Sequence, residues 1–282
     1  MGTDRRIMEA QIIKWIQSFS HPILDDVFQV VTMLGEELFI IVAMALIYWI
    51  FNKEMGKYLC YSLCVTLCVN GIIKSLVRAP RPIGEEGIRS LRVETADGYS
   101  FPSGHTQSSS TFFFSIACWI KKWWLFLIAA VLSLLVALSR LYLGVHWPRD
   151  VIAGLLLGIV LSALSYFLYR KVKNRLLLFG VTLIPLLTGL FLPDLGHYVQ
   201  SLGLYLGFAL GVLFEERYVN FSVKGTALRK GLRFVLGVLC LGVLKFTLDL
   251  LGDSIPVQLI EYTCISFFGL GIWPLIFTKL HL

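Results

Sequence analysis

Residues 123–150 read WWLFLIAAVLSLLVALSRLYLGVHWPRD. The run from Trp123 to Tyr142 is apolar almost throughout and has the ~20 residues a helix needs to cross a bilayer. Its far end and the loop beyond carry Ser139, Arg140, His146 and Asp150. Charged side chains at the edge of such a run are costly without partners, so they are functional candidates by default. Working outward, two further polar islands appear. Lys74 precedes Arg81-Pro82, and Pro102-Ser103-Gly104-His105 stands before the next apolar run.

The rest of the chain has the same character. Of its 282 residues, 57% are hydrophobic and 15% charged, with a mean hydropathy of +0.76. That balance excludes an ordinary soluble domain. Backbone groups in hydrocarbon must satisfy one another, so helices are expected. The fold class is all-α, a polytopic transmembrane helical bundle of about nine spans. They are placed at roughly 32–51, 57–77, 104–120, 123–142, 149–170, 176–193, 199–214, 232–251 and 256–278. Residues 1–31 are expected to form an N-terminal amphipathic, interfacial segment, with Met8, Ile12, Trp15 and Phe19 interleaved among Arg5, Arg6, Glu9 and Lys14. Charge in every turn there argues against a cleavable signal peptide.

The net charge of +7 reflects loop asymmetry rather than nucleic-acid binding. Lys53 and Lys57, Lys121 and Lys122, Arg170 to Arg175, and Arg217 to Arg233 fall in alternate connections, which marks that side as cytoplasmic. The three polar islands then share the opposite, extracytoplasmic or lumenal face. Six cysteines show neither CxxC nor Cys/His metal spacing and are expected to be small packing residues. Gly203, Gly207 and Gly211 make a small-residue stripe suited to close packing, within the chain or in a homo-oligomer through the C-terminal helices. Lys245 and Asp249, one turn apart, should neutralise each other.

The islands suggest one chemistry. Lys74, Arg81 and Arg140 could hold a tetrahedral oxyanion. Pro80 and Pro82 keep Arg81 in extended backbone. Ser103 suits an N-cap, and Gly104 lets backbone amides approach an anion at the positive end of a helix. His105 and His146 could do acid–base and nucleophilic work. Asp150, four residues after His146, can accept an imidazole N–H and fix its tautomer.

The ordered set Lys-x6-Arg-Pro, Pro-Ser-Gly-His and Ser-Arg-x5-His-x3-Asp resembles the three-part signature of the type 2 phosphatidic acid phosphatase superfamily. The resemblance covers residues 30 to 170, and the nine-span layout is similar to the glucose-6-phosphatase branch. It implies a six-helix-like phosphatase core within 32–175, with additional transmembrane helices in 176–282. It further implies His146 as nucleophile, Asp150 as its orienting acid and His105 as general acid and then base. Lys74, Arg81, Ser103, Gly104 and Arg140 would be substrate-binding. No metal or other cofactor is implied. The expected partners are a phosphorylated lipid substrate and membrane lipids. The expected activity is metal-independent hydrolysis of a lipid phosphate or diphosphate, such as phosphatidic acid, phosphatidylglycerophosphate, polyprenyl diphosphate or a sphingoid phosphate, through a phosphohistidine. A lipid phosphotransferase would use the same residues. A phosphate-recognising transporter or binding protein would have no need of the His146–Asp150 spacing, and a vanadate-dependent haloperoxidase would be soluble.

Overall fold

The computed structural model describes residues 2–282, with side chains from Asp4 onward. The regular structure of these residues is helical, without strands. The N-terminal helices are α1 (Gly2–Gln17), α2 (Pro22–Thr32) and α3 (Glu37–Leu46). They lead into α4 (Lys53–Val77), α5 (Gly104–Ile120), α6 (Trp123–Tyr142) and α7 (Pro148–Lys171). The C-terminal part holds α8 (Arg175–Leu187), α9 (Gly196–Phe214), α10 (Ala227–Asp249), α11 (Ile255–Phe267) and α12 (Trp273–Lys279).

Local chemistry sets the boundaries. Pro22 and Pro148 open α2 and α7, where a missing N–H removes no helical hydrogen bond. The His21 ring accepts from Ile23 N at 3.2 Å, Asn174 caps α8 through Leu177 N at 3.0 Å, and Thr226 caps α10.

The expected count of nine spans is not met. Among the described residues, six helical stretches are long and apolar enough to cross a bilayer, starting at Lys53, Trp123, Pro148, Gly196, Ala227 and Ile255. A seventh would be the pair Pro22–Met33 and Glu37–Phe51, bent by 50°. All nine expected segments are helical, but two fall short as spans. α5 has 17 residues and buries Gln107, Ser108, Ser109, Ser110 and Thr111 against protein. α8 has 13 residues, contains Pro185 and tightens into a 3-10 turn at Thr188–Phe191. Apolar length alone misses polar residues that a neighbouring helix covers.

The chain forms two compact units. The first comprises residues 1–40 and 72–163, the second residues 41–71 and 164–282. In the first, α7 approaches α5 through Gly154 and Gly158. A Cβ at Gly154 would stand 2.7 Å from Ser103 O, and one at Gly158 2.5 Å from Ser110 Cβ. The Gly-x3-Gly spacing therefore brings the start of α5 onto the first turns of α7.

The N-terminal segment does more than lie on a surface. α1 leaves Ile7, Met8, Ile12 and Trp15 exposed but buries Ile13 against Ile88 and Trp147. Gln17 Nε2 donates to Arg89 O at 2.7 Å and Tyr142 O at 2.8 Å. Arg89 forms a bidentate pair with Asp25 of α2 at 2.7 and 2.6 Å, and the Tyr142 hydroxyl donates to the same carboxylate at 2.5 Å. These bonds fasten the long loop between α4 and α5 to the end of α6. The carboxylate holds the Arg89 guanidinium above its usual pKa.

In the second unit the glycine stripe of α9 faces α11 of the same chain. A Cβ at Gly203 would lie 2.7 Å from Leu259 O, and one at Gly207 would overlap Thr263 O. Lys245 pairs with Asp249, as its spacing suggests, and also with Glu261 of α11.

Candidate active site

Four helix ends of the first unit carry the three polar islands. Lys74 lies half-buried in the last turn of α4. Ser103 caps α5, its hydroxyl accepting from Thr106 N at 3.5 Å, so Gly104 and His105 occupy the first turn. Ser139 and Arg140 sit in the last turn of α6, both fully buried. His146, 1% exposed, precedes α7, and buried Asp150 lies in its first turn.

Backbone bonds knit these ends together. Ser103 N donates to Asp150 O at 3.0 Å, joining the second island to the third. Trp147 Nε1 donates to Pro80 O at 3.0 Å, joining the third to the first. Ser100 N donates to Ala79 O at 2.8 Å, closing the long loop onto its own beginning.

Around His146 the hydrogen bonds define a direction. Arg81 Nη1 donates to Nε2 at 2.9 Å. A guanidinium has no acceptor, so Nε2 carries the lone pair and Nδ1 the proton. Nδ1 faces Asp150 Oδ2 at 3.5 Å and Ser100 Oγ at 3.4 Å. Trp147 N donates to the same Oδ2 at 2.9 Å, and the Ser100 hydroxyl donates to it as well. The imidazole is held well below its usual pKa, first by burial and then by Arg81, Arg140, Lys74 and His105, whose charges all act on it. At neutral pH it is an uncharged base.

The cations are not equivalent. Arg81 is fully engaged: Nε donates to Gly98 O at 3.0 Å, Nη1 to Val145 O at 3.0 Å, and Nη2 to Asp97 O at 2.6 Å. Burial lowers its pKa to about 10, which leaves it charged. Arg140 has spare capacity. Its Nη1 donates to Thr32 Oγ1 at 3.0 Å and Thr95 Oγ1 at 3.4 Å, while buried Nε and Nη2 make no hydrogen bond among the described residues. His105 Nε2 is likewise buried and unpartnered. Its backbone rests on Gly35, where a Cβ would approach His105 O to 2.7 Å. Orphaned buried polar atoms of this kind call for a partner, and the two Arg140 nitrogens call for an acceptor.

All eight sequence-derived candidates thus lie at helix ends and loops of one unit, with His146, Asp150 and Arg81 in direct contact. Sequence reasoning missed Ser100, Thr32, Thr95 and Gly35. A lone hydroxyl or glycine in a loop carries no periodicity or spacing to mark it. Only Ser100, two residues before Pro102, stood close enough to an island to invite a question.

Residues 56–174 match the PAP2 superfamily, and residues 199–282 match the PAP2 superfamily phosphatase transmembrane extension. Phosphatidylglycerophosphatase B of Bacillus subtilis is 30% identical over 186 residues, covering 61% of this chain and 86% of the relative. The chain belongs to the PAP2 superfamily. Another relative, "Probable sphingosine-1-phosphate phosphatase" of Dictyostelium discoideum, is 34% identical over 190 residues, covering 61% of this chain. The chain spans about half the length of several curated relatives, 46% in the Dictyostelium case. Among solved structures, the transmembrane PAP2 type phosphatidylglycerolphosphate phosphatase from Bacillus subtilis superposes with a TM-score of 0.52 at 25% identity. The overlap covers 61% of this chain and 89% of that one. The PAP2 superfamily match, residues 56–174, takes in most of α4 and all of α5, α6 and α7. The family's transmembrane extension matches from α9 onward.

Proposed function

We propose that the protein is a metal-independent phosphatase acting on a phosphorylated membrane lipid through a phosphohistidine. The observation that carries this reading is the orientation of His146. Its Nε2 lone pair is fixed by Nδ1–H facing Asp150, beside a fully buried Arg140 with two unused donor atoms. An uncharged, oriented imidazole next to uncommitted positive charge suits attack on phosphorus.

In the proposed reaction His146 Nε2 forms a bond to phosphorus as the bond to the lipid oxygen breaks. His105 gives a proton to the leaving oxygen, then takes one from the water that hydrolyses the phosphoryl-imidazole. The products are the lipid alcohol, or a lower phosphate where the substrate is a diphosphate, and inorganic phosphate. Arg140, Lys74 and the α5 amino-terminal turn at Ser103 and Gly104 bind the equatorial oxygens. Arg81 joins them by releasing Nε2 when phosphorus approaches. The site's own three cations supply the positive charge.

A lipid substrate is supported by the helix-end location of every site residue and by the names of the relatives, which are phosphatases of sphingosine-1-phosphate and phosphatidylglycerophosphate. The extracytoplasmic or lumenal face is supported helix by helix. α4 has Lys53 and Lys57 at the end opposite Lys74, and α5 begins at the His105 end and is followed by Lys121. α6 follows Lys122 and carries Arg140 in its last turn, and α7 carries Asp150 in its first turn and Arg170 and Lys171 in its last.

The test is phosphate release from phosphatidic acid, phosphatidylglycerophosphate, polyprenyl diphosphate and sphingosine phosphate in mixed micelles with chelator present. At least one should turn over, and His146→Ala should lose activity by about 10³-fold or more. A His146→Ala protein that turns over normally, or activity that vanishes with chelator, would sink the mechanism.

A further inference from the structure

Ser100 has no part in the mechanism above and belongs to none of the three islands, yet it is fully buried against two of that mechanism's central groups. Its backbone is tied to Ala79 O, so the hydroxyl cannot drift. Oγ donates to Asp150 Oδ2 and lies 3.4 Å from His146 Nδ1. A hydroxyl has one proton and two lone pairs. With the proton committed to the carboxylate, a lone pair faces Nδ1–H. The Nδ1 proton is then shared between Asp150 Oδ2 at 3.5 Å and Ser100 Oγ.

We propose that Ser100 is a positioning residue of the phosphatase, which together with Asp150 holds the nucleophilic imidazole with Nδ1 protonated and Nε2 free. This rests on the phosphatase reading and adds a third member to the His146–Asp150 arrangement. The hydroxyl has two effects. With Trp147 N it fixes which oxygen of Asp150 faces the ring, since the other oxygen, Oδ1, makes no hydrogen bond among the described residues and lies 3.7 Å from Arg149 Nε. It also draws charge out of that carboxylate, which weakens the pull of Asp150 on the Nδ1 proton.

The second effect gives a readout that a packing role would not produce. Removing the hydroxyl leaves Asp150 more basic toward the imidazole, so the imidazole holds an added proton more firmly. The acid limb of kcat/KM should move to higher pH. The charged and titratable groups facing His146 are Arg81 from the loop, Lys74 from α4, His105 from α5, Arg140 from α6 and Asp150 from α7. Arg149 and Glu9 bear on Asp150 itself. Of these, only Asp150 loses a hydrogen bond in a Ser100 variant.

The experiment compares wild type, Ser100→Ala, Ser100→Thr, Ser100→Cys and His146→Ala on one active lipid phosphate, with full pH profiles and acid-quench trapping of the phosphoenzyme. Ser100→Ala should lose about 10–100-fold in kcat with KM within about twofold, as for the loss of one hydrogen bond to a charged group. Its acid limb should lie at higher pH and its phosphoenzyme should form more slowly. Ser100→Thr should recover most of kcat and the wild-type limb. Should the alanine variant not fold, Ser100→Cys, similar in size and a weak donor, should shift the limb in the same direction by less. Wild-type kcat and an unmoved limb in Ser100→Ala or Ser100→Cys, with His146→Ala inactive, would overturn the role of Ser100 alone. An active His146→Ala would overturn the phosphatase mechanism beneath it.

Discussion

In the second unit Lys57, 1% exposed, meets Glu54 at 2.7 Å, Glu216 at 2.8 Å and Glu215 at 3.6 Å. Lys53 meets Glu215 at 3.0 Å, and Arg175 meets Glu54 at 3.5 Å. Three cations face three carboxylates. In the first unit Arg140 is buried as deeply and meets two threonine hydroxyls, with two nitrogens left over. Lys74 and Arg81 add to the positive charge there, and Asp150 is turned toward Ser100 and His146. Burying a charge costs several kcal/mol unless a partner compensates it. The paired cluster therefore belongs to the fold. The unpaired one is held in place by the rest of its unit, and an anion would complete it.

The comparison breaks first at Lys57. Lys57→Met leaves Glu215 and Glu216 short of a partner and should cost about 3–5 kcal/mol of stability. Thermal unfolding in detergent would read this, and turnover per folded molecule should stay near wild type. A fall in turnover with unchanged melting would give the paired cluster a catalytic part and end the contrast. Arg140→Ala should behave the other way. Losing charge-assisted contacts to the phosphoryl group should cost about 2–5 kcal/mol in kcat/KM, with a smaller loss of stability because only the neutral hydroxyls of Thr32 and Thr95, and no charged partner, are stranded. A large drop in melting temperature with normal turnover would make Arg140 a structural residue.

Inorganic phosphate or vanadate sharpens the contrast at a smaller scale. An anion that completes the first cluster at about 100 times its Kd should stabilise the wild-type protein by ~2.7 kcal/mol. The same anion should do nothing measurable for Arg140→Ala and should act undiminished on Lys57→Met if that variant folds. Equal stabilisation of all three would place anion binding elsewhere.

How much of this was legible beforehand depends on which physical signal each feature leaves in sequence. The three islands could be read because ionisable residues stand out against apolar runs. Candidate chemistry followed from charge, from the capping chemistry of Ser103 and from the one-turn spacing of His146 and Asp150, while the assignment of His146 as nucleophile and His105 as acid came from the resemblance to the phosphatase superfamily. The helices could be read from hydropathy, but not which of them face lipid, because the serines of α5 look alike whether a helix or a bilayer covers them. Ion partners distant in sequence were invisible. Nothing near Lys57 announces Glu215, and α1 gave no sign that Glu9 would meet Arg149 in the first turn of α7 or that Gln17 would bind the loop at Arg89. Ser100 was hidden for a similar reason, since a single hydroxyl gains meaning only from what it touches.

The smallest effect concerns protons, and it too separates the clusters. Native His146 is neutral because burial and the neighbouring cations hold its pKa far below the ordinary imidazole value. In the unfolded chain the same ring takes a proton near pH 6.5. Below that pH the unfolded state binds one more proton than the native state at this residue, so stability should fall as pH drops. The slope from this group is at most about 1.4 kcal/mol per pH unit. The loss begins near 6.5 and ends once the native ring also protonates. His146→Gln should remove that one-proton component from the pH dependence of unfolding, while Lys57→Met should leave it intact. A wild-type slope in His146→Gln would mean that the native ring takes its proton at the same pH as the unfolded one, so that burial and the neighbouring cations do not hold the nucleophile neutral in acid.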